Sequence, residues 1–302
     1  MKYILVFVMF YSIAFAQAQE LTNLQVSILN ANNKVEIGEK YFSSGNYDSA
    51  VLYLEYFNTF CEQLSAKDNW RYEKSVFMLG QAYKSLANYD KAEDKMKESI
   101  IITKKRYGAY HKEYFYSLSD LIILYVTLGE VNKALILNLE SIDNYPVKNS
   151  DKDIFYGAQL MQTSRLYRDL GEYDKSLWFY SKGHPIIINH YGKKSWNNGW
   201  DMIGISETYG LLGNYDTAIS VCLKGLEIVE KSIGQENKYF DIGIENLTTL
   251  YYKKGAYGEA ILVGLGALES IENRFGKQSL QYGLSLNTLG VVYSQQGNYA
   301  SA

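Results

Sequence analysis

The stretch Leu212-Gly213-Asn214-Tyr215-Asp216-Thr217-Ala218 recurs along the chain at one fixed interval. With Tyr215 as position zero, steps of 42 residues land on Tyr47, Tyr89, Val131, Tyr173, Tyr257 and Tyr299, with no insertion or deletion. Two residues before each zero stand Gly45, Ala87, Gly129, Gly171, Gly213, Gly255 and Gly297. Three residues after it stand Ala50, Ala92, Ala134, Ser176, Ala218, Ala260 and Ala302. A constant period of this length means stacked copies of one supersecondary unit.

Each part of the stretch has a physical reason. A glycine just past an apolar helical run accepts the left-handed conformation that closes a helix. Asn46, Asn88, Asn214 and Asn298 follow directly, where an amide is expected to cap the next helix, and Asp48, Asp90, Asp174 and Asp216 fall in that helix's positive first turn. A small residue at +3 allows the second helix to approach its neighbour closely.

Upstream of zero, position −6 is always tyrosine: Tyr41, Tyr83, Tyr125, Tyr167, Tyr209, Tyr251 and Tyr293. Position −10 holds Ile37, Leu79, Leu121, Thr163, Ile205, Leu247 and Leu289, and position −13 holds Lys34, Val76, Leu118, Leu160, Met202, Ile244 and Leu286. Offsets of 3, 4 and 7 place these on one face of an α-helix, which is the expected core. Position −9 is mostly small, as in Gly38, Gly80, Ser164, Ser206, Thr248 and Gly290, with Ile122 the exception. Second helices are expected to run about 17 residues from zero, before a turn at Gly108, Gly192, Gly234 and Gly276. The fold class is therefore all-α, an α-solenoid of helix-turn-helix units. The tyrosines at −6, at zero and at −17 (Tyr72, Tyr114, Tyr156, Tyr282) read as repeated core positions rather than as a stacking surface.

This spacing resembles the tetratricopeptide repeat from about Leu21 to the C-terminus. The longer period, with Phe275-Gly276 and the stretch Ser285-Leu286-Asn287-Thr288-Leu289-Gly290-Val291-Val292-Tyr293, is similar to the kinesin light chain type. The resemblance implies a right-handed superhelix of about six and a half units: 28–69, 70–111, 112–153, 154–195, 196–237, 238–279 and an incomplete 280–302. It also implies a concave face that binds extended segments of other proteins, and bacterial relatives in which such arrays precede a caspase-like CHAT protease domain or a signalling kinase. The first-helix positions lining that face, at −15, −8, −5 and −4, supply Lys74, Gln81, Lys84, Arg165, Arg168, Asp169, Trp200, Glu207, Thr249, Tyr252 and Lys253. With Lys84 and Arg168 the face would suit an acidic peptide; ordinary surface charge is the alternative. The paired asparagines of kinesin light chains have only sporadic counterparts here, Asn246 and Asn287.

Lys2 and the apolar run Tyr3–Ala16, with Ala14-Phe15-Ala16 or Ala16-Gln17-Ala18 as a small-residue cleavage site, read as a signal peptide over residues 1–18 and hence as export. An uncleaved anchor or a buried helix is the alternative, but the run is short of the about 20 residues a membrane span needs. Thirty basic and 33 acidic residues give a net charge of −3, which lacks the basic footprint of nucleic-acid binding. Cys61 and Cys222, the two cysteines, fall nearly four repeats apart and read as core residues beyond disulfide reach. His111, His184 and His190 show no metal-ligand spacing, so no metal is expected. No phosphate loop, nucleophile elbow or other catalytic constellation is present, so neither enzymatic activity nor a cofactor is expected.

One region breaks the pattern. Gly183-His184-Pro185 is expected to interrupt a second helix, with Trp196 and Trp200 close behind. It reads either as a hinge or binding notch, or as a bent helix with two tryptophans covering exposed core. The last copy ends in Tyr299-Ala300-Ser301-Ala302, too short for a helix, so the array is expected to continue beyond residue 302. The functional expectation is a non-enzymatic scaffold holding a protein or peptide segment. The alternative is the sensing region of a larger signalling or protease polypeptide, with membrane contact only through a downstream segment.

Overall fold

The computed structural model describes residues 2–109, 111–145, 153–298 and 300–301, with side chains from residue 19 onward. Among these residues there are thirteen helices and no strand: α1 (Lys2–Ser43), α2 (Tyr47–Gln63), α3 (Trp70–Ser85), α4 (Tyr89–Tyr107), α5 (Lys112–Thr127), α6 (Val131–Asp143), α7 (Ile154–Asp169), α8 (Tyr173–Tyr191), α9 (Trp196–Leu211), α10 (Tyr215–Ile233), α11 (Lys238–Lys254), α12 (Tyr257–Phe275) and α13 (Leu280–Gln296). The chain forms two compact units, residues 1–129 with α1–α5 and residues 130–302 with α6–α13. Within each unit a helix packs on its neighbours in sequence, and a first helix also touches the next first helix, as α7 does α9 and α9 does α11. This is the all-α repeat stacking that the 42-residue period requires.

The turn at −2 behaves as expected. Gly45, Gly129, Gly171, Gly213, Gly255 and Gly297 all have φ between 74° and 84°, and Ala87 takes the same left-handed turn at 57° despite its Cβ. The N–H at −1 then donates back to the carbonyl of the −6 tyrosine, as from Asn46 to Tyr41, Asn88 to Tyr83 and Asn214 to Tyr209, each at 2.9 Å. This six-to-one closure satisfies a carbonyl that the helix end would leave open.

The capping expectation is corrected in part. Asn46 accepts from the Ser49 N–H, whereas Asn88 and Asn214 make no side-chain cap. Their second helices start on the closed turn and on Asp90 and Asp216 in the first turn instead. Side-chain caps sit at the other helix of each pair: Asn69, His111, Asp153, Ser195, Asn237 and Ser279 each accept a backbone N–H of the first helix that follows.

The +3 residues Ala50, Ala92, Ala134, Ser176, Ala218 and Ala260 are all 0% exposed. Ser176 meets the small −9 position of its paired helix, where Ser164 Oγ donates to the Ser176 carbonyl at 2.8 Å. Two pairs are closer still. A Cβ on Gly199 would lie 2.6 Å from the Gly225 carbonyl oxygen, and one on Gly225 would lie 2.7 Å from that of Gly199, so α9 and α10 cross backbone on backbone. Between α7 and α8 the approach is one-sided: a Cβ on Gly183 would lie 3.0 Å from the Gly157 carbonyl oxygen, while one on Gly157 would meet the Ile186 side chain at 2.8 Å.

That approach corrects the expected interruption at Gly183-His184-Pro185, because α8 runs unbroken for 19 residues with Pro185 inside it. Gly183 is held against α7, and His184 is fixed by a 2.7 Å bond from its Nε2 to Asn198 Oδ1 and by stacking on Tyr180. One missing hydrogen bond is outweighed by these contacts.

The core positions need three corrections. The tyrosines at zero are half-exposed rather than core: Tyr47 packs edge-on to Phe42 and Tyr257 lies near Tyr252, each closing the turn from outside. Tyr299 lies outside the described residues. Lys34 is not core; its Nζ sits 5.0 Å above the Tyr53 ring. Leu286 is exposed, since α13 buries Leu289 and Val292 instead. At −6 the ring packs and the hydroxyl reaches out, as from Tyr125 to Glu93 at 2.8 Å, which explains tyrosine rather than phenylalanine there. Cys61 and Cys222 are free and buried, and burial pushes the Cys222 thiol up to about 12.

Gly199→Ala should destabilise the protein, within the roughly 1–3 kcal/mol of overpacked cores, because the methyl meets backbone. Gly266→Ala, with nothing within 4 Å of its Cβ position in α12, should stabilise by up to about 1 kcal/mol through helix propensity. Urea unfolding of the two variants should therefore give opposite signs; equal effects would contradict the backbone crossing.

Candidate binding surface of the first helices

The faces of the first helices that do not stack carry the candidate residues, and the structure spends most of the charges there on one another. On α3, Lys74 Nζ lies 2.7 Å from Glu39 of α1, and Arg71 lies 3.2 Å from Glu36. Gln81 donates to the Asp120 carboxylate of α5, whose pKa is raised by burial and held back by Gln81 and the charge of Lys84. In the second unit Arg165 lies 3.2 Å from Asp201, and Arg168 lies 2.5 Å from Glu207 and 3.0 Å from Asp169. Partners such as Lys74 and Glu39, or Arg165 and Asp201, are 35 and 36 residues apart, roughly one repeat less two helical turns.

Arg165, Arg168, Trp200 and Glu207 thus come together on α7 and α9, while Lys74, Gln81 and Lys84 share α3 in the first unit. Thr249 and Lys253 join Glu207 along a cleft of about 340 Å³ between α9 and α11. Tyr252 lies against Tyr257 instead. Asn246 is taken up by packing, since its Nδ2 donates to Ser206 Oγ and the Ile203 carbonyl of α9.

Trp196 and Trp200 do not simply cover core. Trp196 stacks on Tyr239 of α11 at 4.6 Å and Trp200 meets the same ring edge-on at 5.2 Å. With Tyr191, Arg165 and Asp201 they line a cleft of about 240 Å³. A larger cleft, about 370 Å³ and mostly apolar, opens between α11, α12 and α13 over Gly264, Ala267, Ile271, Phe275 and Leu284. In the first unit a cleft of about 310 Å³ lies between α3, α4 and α5, with Tyr107 on its wall as Phe275 is on the other's. Residues missed by sequence reasoning are chiefly the acidic partners Glu39, Asp120 and Asp201; matching opposite charges about one repeat apart would have found them. Among the described residues no three His, Cys, Asp or Glu side chains gather as a metal site, and no helix is long and apolar enough to cross a membrane.

Asp201 is a buried carboxylate on this face. Its side chain is 7% exposed against 43% for Arg165, and burial pushes its carboxyl up to about 6 although Arg165 pulls the other way.

The comparisons with known proteins agree with this geometry. The tetratricopeptide repeat family model matches residues 73–100, which span α3 and most of α4. Among solved structures, the chain superposes on the apo form of the quorum sensor NprR from B. thuringiensis with a TM-score of 0.65, at 13% identity over 94% of this chain and 78% of that one. It matches a Signal Transduction ATPase with Numerous Domains protein with a tetratricopeptide repeat sensor, from Pyrococcus horikoshii, at TM-score 0.62 and 17% identity over 89% of this chain and 39% of that one. It matches putative kinesin light chain nearly identical TPR-like repeats from Podosopora anserina at TM-score 0.52 and 16% identity, over 67% and 96%. A search of curated proteins gives no match. The chain has the tetratricopeptide-repeat fold.

Because the folded-state pKa of Asp201 lies above its ordinary carboxylate value, the protonated acid is the form that folding favours. The stabilisation is present at low pH and is lost as pH rises through the window from about 4 to about 6. The melting temperature of Asp201→Asn minus that of wild type should therefore increase between pH 4 and pH 7. A difference that is flat across this window would contradict the assignment.

Proposed function

We propose that this chain is a non-enzymatic interaction scaffold that holds a protein or peptide segment against the first-helix faces of its repeats. The observation that carries the reading is the series of clefts beside successive first helices of the second unit, at α7 and α9, α9 and α11, and α11 and α13, whose linings include exposed side chains such as Tyr191, Glu245, Lys253 and Leu284. Ligand sites are concave, largely preformed and mostly apolar with a few polar groups, and these clefts fit that description. A rival surface exists on the second helices, where Ile136, Trp178, Leu223 and Leu262 are exposed. Those side chains stand singly on separate helices and enclose no cleft among those described.

A second reading is that the array is the sensing part of a signalling polypeptide. Two fold neighbours favour it by description, a quorum sensor and a signalling ATPase whose tetratricopeptide repeats are its sensor. Both readings place the ligand on the same face. Export after removal of residues 1–18 belongs to the proposal, and N-terminal sequencing of the mature protein should begin near Gln17 or Gln19.

The test is affinity capture from an extract of the source cell. Trp200→Ala combined with Lys253→Glu should reduce the recovered partner about tenfold or more, with the circular dichroism melt shifted by only a few degrees. Ile136→Ser, Leu223→Ser and Leu262→Ser together should leave recovery unchanged. The reverse pattern would move binding to the second helices.

A further inference from the structure

The cleft between α11, α12 and α13 lies beside a second-helix position that is larger in the other repeats; a Cβ there would lie 2.7 Å from Leu289 of α13, which takes the place a side chain would fill. At +7 of the second helix they carry Leu54, Met96, Asn138, Tyr180 and Cys222; here the residue is Gly264, which lines the opening. The volume of about 370 Å³ is within the range of ligand pockets and is walled by Ala267, Ile271, Phe275 and Leu284. The cations on its border are already engaged. Arg274 is paired with Asp241 and lies 4.9 Å over the Phe275 ring, and Lys238 lies 5.2 Å over Tyr239. The anions are not. Glu245 lines both this cleft and the neighbouring one towards α9, is exposed, and makes no ion pair among the described residues; Glu236 at the far rim makes none either. An apolar cavity bordered by unneutralised carboxylates complements an apolar side chain with a positive charge beside it.

Building on the first-helix reading above, we propose that this cleft seats a large apolar side chain of an extended protein segment, and that Glu245 pairs with a lysine or arginine next to it. The selectivity is opposite in sign to the acidic ligand that Lys84 and Arg168 suggest from sequence, because Arg168 is paired with Glu207 while Glu245 stands free.

The experiment uses the full chain and three fluorescein-labelled ten-residue peptides on a Ser/Gly background: one with Phe followed two residues later by Lys, one with that Lys replaced by Glu, and one with the Phe replaced by Ala. Fluorescence anisotropy should show the Phe/Lys peptide binding about tenfold more tightly than either relative. Glu245→Lys should reverse the preference between the Lys and Glu peptides. Ala267→Leu, which narrows the cleft, should abolish the difference between Phe and Ala with little change in melting temperature. Equal binding of the three peptides, no binding of any, or an unreversed preference in Glu245→Lys would overturn the proposal. Binding that Trp200→Ala abolishes but Glu245→Lys and Ala267→Leu leave intact would overturn it while sparing the first-helix reading; binding untouched by all three variants would overturn both.

Discussion

How closely one helix backbone can approach the next is the constraint on which the rest of this structure depends. Dispersion and apolar burial are collected only where atoms touch, and a pair of helices held a methyl group too far apart forfeits much of it. The +3 alanines are fully buried, and between α9 and α10 glycine meets glycine so that each carbonyl oxygen lies where the other's Cβ would go. Leucine, isoleucine and tyrosine rings on either side can then interlock, as Ile203, Leu226, Leu247 and Leu250 do around Ala218 and Cys222.

The same stacking decides what is left for a ligand. Successive first helices lie side by side, so a charge on one is within reach of an opposite charge on the next, and Lys74, Arg165, Arg168 and Glu207 are consumed this way. Arg165 and Arg168 hold Asp201 and Glu207, and Lys74 holds Glu39. A half-exposed pair such as Lys74 with Glu39 contributes little stability, typically below about 1 kcal/mol. The larger effect of these pairs is on recognition, since a guanidinium already bound to a carboxylate offers less to an incoming anion. What stays open is apolar space between helices and a few carboxylates without partners.

The turns, the helix pairs and the small-residue contacts were legible in the sequence because they are backbone requirements repeated every 42 residues. Even Ala87 obeyed the left-handed turn in which glycine is usual. The first-helix caps from Asn69 to Ser279 were equally legible but sit twenty residues ahead of zero, away from the repeated stretch on which the reading centred. Other features were not legible. The zero tyrosines look like core by periodicity, yet a ring at the first residue of a helix can only lie across the turn it follows. Pro185 looks like a break, yet Gly183 behind it is pinned to α7. The ion pairs depend on lateral reach between repeats, and the cleft beside Gly264 depends on how α11, α12 and α13 pack, which periodicity alone does not show.

The most direct measurement is a proteolysis-coupled stability scan of all single substitutions in the full chain, because it separates positions spent on stacking from positions left for binding. At Ala50, Ala92, Ala134, Ser176, Ala218 and Ala260 every residue larger than serine should lower stability sharply, while at Glu245, Thr249 and Lys253 nearly all residues except proline and glycine should be tolerated. Leucine at Ala218 tolerated as well as leucine at Thr249 would contradict the account.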